Sequence, residues 1–88
     1  MGVAEDLGDH LAQATLAAMD EIDDDRFYEK VGRIVGASSP TLQEAFMTSI
    51  RIRLAARRGQ DFVVRALEAA RSGAKAPDAP PDLSADGH

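Results

Sequence analysis

Apolar residues recur at helical spacing along most of this chain. Between residues 3 and 22, Val3, Leu7, Leu11, Ala14, Ala18 and Ile22 fall on one stripe at about 100° per residue, and Glu5, Asp6, Asp9, Gln13 and Asp20 lie opposite. The pattern predicts an amphipathic first helix. Leu16 stands among the polar positions, and with Ala12 and Met19 it makes a narrow second apolar strip. The aspartates at 23–25 are placed to stop this helix and start the next, because a carboxylate accepts hydrogen bonds from free N–H groups at a helix start.

A second helix is predicted over residues 26–35, with Phe27, Val31, Ile34 and Val35 on its apolar face and Gly36 as a left-handed C-cap. Ser39-Pro40 then gives an N-cap followed by proline at the first helical position, a strong start signal. The third helix is expected to end at Arg58, before Gly59. Leu42, Phe46, Met47, Ile50 and Leu54 share its broad face, and Ala45, Ser49, Ile52 and Ala56 form a smaller strip beside it. Residues 50–54 alternate apolar and polar as a strand does, but the flanks are rich in helix formers and the alternation is short. Asp61 is expected to cap a fourth helix over residues 62–72, buried through Phe62, Val63, Ala66, Leu67, Ala69 and Ala70, with Ser72-Gly73 as its end.

The expected fold is therefore all-α: a small bundle of four helices over residues 1–73, with a disordered Ala/Pro-rich tail over 74–88. The tail cannot bury enough apolar surface to offset its ordering entropy. At 88 residues the chain is one domain at most, and its core is thin. It has no cysteine, so neither disulfides nor thiolate metal sites staple it, and stability must come from apolar packing or a partner subunit. No stretch approaches the roughly 20 apolar residues of a membrane-spanning helix. The acidic start is unlike a secretory signal, so a cytoplasmic location and no membrane partner are expected.

The net charge of −5 conceals a division. Residues 1–25 carry eight acids and no Lys or Arg, whereas residues 26–75 carry ten bases against four acids. Arg51, Arg53, Arg57 and Arg58 crowd the third helix, with Arg65 and Arg71 beyond. Two uses suit them: contact with phosphates, or pairing with the acids of residues 5–25 in the same chain or a second one. Pairing is the expected use, because the opposite charge is already in the protein.

Catalysis and metal binding find little material. His10 and His88 are the only histidines, and no Gly-rich phosphate loop is present. Asp6 and His10 lie one turn apart, but no further ligand is specified; the acid run at 20–25 lacks the alternating oxygens and central glycine of a calcium loop. No cofactor, metal or enzymatic activity is expected.

The segment from Phe27 through Gly36 to Ala45 resembles a helix-turn-helix core. Val31 and Gly32 stand at that motif's apolar and small positions, Gly36 at its turn, and Leu42 and Ala45 where its second helix packs inward. The Ser/Pro/Thr start at 39–41 is common in bacterial regulators of this type. The resemblance implies DNA contacts by Ser39, Thr41, Gln43 and Thr48, with Arg51, Arg53, Arg57 and Arg58 on phosphates. The principal expectation is different: a non-enzymatic interaction or regulatory module that self-associates as a homo-oligomer or binds a protein partner. Leu16, Met19 and Ile52, which lie off the main stripes, are its candidate contact residues; DNA binding through residues 27–48 is the alternative.

Overall fold

A computed structural model describes residues 2–73, 75, 77 and 78 of the chain; the rest of the expected tail lies outside the described residues. Three helices form: α1 (Val3–Ala18), α2 (Phe27–Ser38) and α3 (Pro40–Ser72). Among the described residues all regular structure is helical, as the periodicity predicts, but the helices number three rather than four. The expected third and fourth helices are one. Gly59 sits within α3, and a glycine inside a helix costs only about 1 kcal/mol relative to alanine, too little to break a run of good helix formers. Asp61 is likewise an exposed interior residue of α3 and not a cap. The glycine that does end the helix is Gly73, whose φ of 77° is left-handed.

The chain divides into two compact units, Met1–Ala55 and Ala56–His88, with residues 40–55 of α3 in the first and 56–72 in the second. The core lies in the first unit. Ala12, Leu16, Phe46 and Ile50 are buried together, and Leu11, Met19, Tyr28, Val31, Met47 and Leu54 pack against them. The broad face expected of α3 thus supplies the centre of the core, with Phe46 and Ile50 its largest fully buried side chains.

α1 packs by a different face from the one its apolar stripe predicts. Gly8, Ala12, Thr15 and Leu16 are its buried residues, whereas Val3 and Leu7 of the stripe are 74% and 52% exposed and Ala14 is exposed too. The reason is backbone proximity. A Cβ added at Gly8 would stand 2.9 Å from the carbonyl carbon of Ala45 and from the amide nitrogen of Phe46. Only a glycine lets the two helices meet this closely, and Ala12 continues the small-residue side one turn on. Leu16 is then carried into the core, 3% exposed, beside Phe46 and Ile50. The expected contact residues Leu16 and, in part, Met19 are thereby used by the chain's own core.

The connections are short and specified by side chains. α1 stops at Ala18, earlier than the stripe suggests, and turns occupy the residues before α2. Of the three aspartates, Asp24 does the work: its carboxylate accepts the Arg26 backbone N–H at 3.0 Å and the Lys30 ammonium at 2.6 Å, and its carbonyl accepts the Phe27 N–H. Gly36 is not a C-cap. α2 continues through it to Ser38, and the missing side chain leaves room for the Gln43 amide, whose atoms would lie 2.5–2.7 Å from any Cβ there. Ser39 alone joins α2 to α3: it is extended, and its hydroxyl accepts the Leu42 N–H at 3.1 Å ahead of Pro40, the start signal expected.

In the second unit Ala69 is buried and Phe62 and Ala66 are half-buried. Val63, Val64 and Leu67 are exposed, so the burial expected of Val63 and Leu67 is not what the fold provides.

Two glycine substitutions should act in opposite directions. Gly8→Ala gains about 1 kcal/mol of helix propensity but overpacks backbone against backbone, typically 1–3 kcal/mol, for an expected net loss of up to about 2 kcal/mol. Gly59 has no neighbour within 4 Å of an added Cβ, so Gly59→Ala should stabilise by about 1 kcal/mol. Urea unfolding measures both; a gain at Gly8 would contradict the close crossing.

Candidate functional site

The first unit has a cleft of about 500 Å³ between α1 and α3. α1 contributes Glu5 and Asp9, one turn apart. α3 contributes Thr41, Ala45, Thr48 and Ile52, spaced to lie along one side of the helix, together with Glu44 and Ser49. The floor is therefore alanine, isoleucine and threonine methyls, and the rim carries three carboxylates. It grows out of the smaller strip of α3 seen in the sequence, for Ala45, Ser49 and Ile52 all line it. Ile52 is the exposed member, at 64%.

One cation is tied to this rim. Arg53 donates from Nε to the Ser49 hydroxyl at 3.0 Å, and its Nη2 lies 3.9 Å from an Asp9 carboxylate oxygen. Ser49 is nearly buried, so this hydrogen bond satisfies a hydroxyl inside the fold. The ion pair itself is long and half-exposed, which limits it to a small contribution. Glu5 and Glu44 have no ion-pair partner among the described residues. The other ion pair, Lys30 with Asp24, belongs to the start of α2. Together with the Arg26 N–H, the Lys30 hydrogen bond holds the Asp24 carboxyl below its ordinary value, the Lys30 bond being the larger cause.

The residues that the helix-turn-helix resemblance singles out do not gather on one face. Thr41 and Thr48 line the acidic cleft with Glu5, Asp9 and Glu44. Gln43 is half-buried against Gly36 of α2, and the Ser39 hydroxyl is engaged in capping α3. Arg51 is exposed, Arg53 is turned to Ser49 and Asp9, and Arg57 and Arg58 are exposed residues of the second unit. The backbone departs from the motif as well. The turn expected at 36–38 is helical, leaving a connection of Ser39 alone where such motifs use about 3–4 residues. Asp6 and His10 find no further ligand: among the described residues no group of three or more His, Cys, Asp or Glu side chains could hold a metal ion.

The acidic rim escaped the sequence reading because it depends on the rotation of α1. With Val3 and Leu7 taken as the inner face, Glu5 and Asp9 point to open solvent. The signal that could have corrected this is the pair of small residues Gly8 and Ala12, one turn apart, which marks a close helix crossing. Compared with known proteins, the chain matches no family model, no curated protein and no solved structure. Among the described residues, no helix is long and apolar enough to cross a membrane.

Asp24 gives a pH signature. Its lowered native pKa means that its contribution is fully present above the unfolded value of about 4 and is lost as pH falls through the native value. Asp24→Asn should therefore lower the thermal midpoint at neutral pH, and the difference from the parent protein should vanish in strong acid. A difference that stays constant across thermal melts from pH 7 to pH 2 would show that the charge has no part in holding the start of α2.

Proposed function

We propose that this protein acts in the cytoplasm as a non-enzymatic helical interaction module, regulatory in character, that self-associates. One observation carries the reading. Among the described residues five hydrophobic side chains are buried, two of them alanine, while eight large ones stand exposed. In the first unit these are Val3, Leu7, Ile22, Ile34 and Ile52, and in the second Val63, Val64 and Leu67. Single exposed apolar residues are ordinary, but neighbouring ones, as Val63, Val64 and Leu67 are along α3, make surface that gains by being covered. Ile52 is the member that shares a cleft with charged groups, which gives a contact there both an apolar centre and a polar rim. Of the contact residues expected from sequence, it alone stands free at the surface. DNA reading has weaker support, because Thr41 and Thr48 share their cleft with three carboxylates, which repel a phosphate backbone.

Ile52→Glu should reduce the mass seen by light scattering at micromolar concentration while leaving the thermal midpoint close to that of the parent. Leu16→Ala should do the reverse, losing on the order of 2–5 kcal/mol of stability as buried leucine truncations do. A parent protein that scatters as a monomer, unchanged by Ile52→Glu, would overturn the self-association reading. Micromolar binding of duplex DNA with a steep salt dependence would favour the helix-turn-helix alternative.

A further inference from the structure

The first unit carries an acidic cleft with an apolar floor, and the second carries its chemical complement. Along residues 56–72 of α3, Arg57, Val64, Leu67 and Arg71 recur at intervals of seven, three and four, which places them on one side of a helix. Val63 lies at the edge of the same side. The result is an exposed apolar stretch with a guanidinium at each end. Neither Arg57 nor Arg71 has a carboxylate partner among the described residues, and Val64 and Leu67 are both about half exposed.

We propose that the cleft between α1 and α3 of one copy receives this arginine-flanked stripe from a second copy. The inference rests on the self-association reading and names the surfaces that perform it. Val64 and Leu67 cover Ile52 and Ala45, while Arg57 and Arg71 meet Glu5 and Glu44, the two rim carboxylates that Arg53 does not serve. The match is of charge and of apolarity at once. A guanidinium reaches a carboxylate with two donors and a long apolar stem, so it can hold the rim while its stem lies on the floor. A cleft of about 500 Å³ is the size of pockets that take a few side chains, which suits the one turn that carries Val64 and Leu67. Arg57 and Arg71, about 21 Å apart along the helix, lie beyond its two ends and reach back to the rim through their long side chains. The partner is a second copy because each chain offers both halves of the match, the first 25 residues being free of Lys and Arg and the stretch from 56 to 72 being net basic.

Charge reversal tests this. One variant carries Glu5→Lys with Glu44→Lys, the other Arg57→Glu with Arg71→Glu; all four positions are exposed, so each variant should keep the parent's helicity and thermal midpoint. In sedimentation velocity at low salt, each alone should self-associate at least about tenfold more weakly than the parent. Mixed in equal amounts they should associate again, since the lysine-rimmed cleft then meets a glutamate-flanked stripe and the native cleft meets native arginines. Raising the salt should weaken the parent and the mixture alike. A parent that self-associates with an affinity untouched by either reversal, and no rescue on mixing, would overturn the cleft assignment while leaving self-association standing. A parent that stays monomeric throughout would overturn both. Reversal variants that each lose self-association and remain separate on mixing would also overturn the proposal.

Discussion

The contact between Gly8 and the Ala45–Phe46 backbone sets the rest of the first unit. Helices normally stand about 8–10 Å apart, held off by their side chains. With no side chain at Gly8 and a methyl at Ala12, α1 lies against α3 closely enough for Leu16, Phe46 and Ile50 to share one small core. The same crossing fixes the rotation of α1 about its axis. Once Gly8 faces inward, Val3 and Leu7 must face outward, and Glu5 and Asp9 must overlook the α3 strip that carries Ile52. Core, exposed apolar surface and acidic cleft are thus three results of one packing decision.

That decision explains which parts of the structure could be read from the sequence. Helix type and the first and last signals of α3 were legible because they are local: Ser39 with Pro40 begins it and Gly73 ends it, each through its own backbone chemistry. The broad face of α3 was legible because Phe46 and Ile50 are large and regularly spaced. The inner face of α1 was not, because periodicity weighs hydrophobic bulk and this helix is seated by the absence of bulk. Gly36 and Gly59 misled for a related reason. A glycine permits a left-handed turn but does not require one, and here one makes room for Gln43 while the other is simply tolerated inside a helix.

The candidate site divides in the same way. Ile52 was visible as an off-stripe apolar residue, and its exposure follows from the position of its strip beside the core face. Leu16 carried the same sequence signature and went inside, since the rotation that buries Gly8 brings Leu16 with it. The charge division was legible as composition, but the partners were not: Arg53 lies by Asp9 only because Ser49, one turn before it, anchors the guanidinium at the cleft edge. A spacing argument places two arginines on one helix side without saying which acid either of them meets.

The division between the compact units falls at Ala55–Ala56, inside a helix and not in a linker. What crosses it is a ladder of backbone hydrogen bonds, and such ladders form cooperatively, each turn making the next less costly. Amide protons close to the division, on either side of it, are therefore held by the same ladder. Fraying starts at the last turns and costs more with each turn it travels toward the buried Phe46 and Ile50, so protection against exchange falls off along α3 with distance from the core.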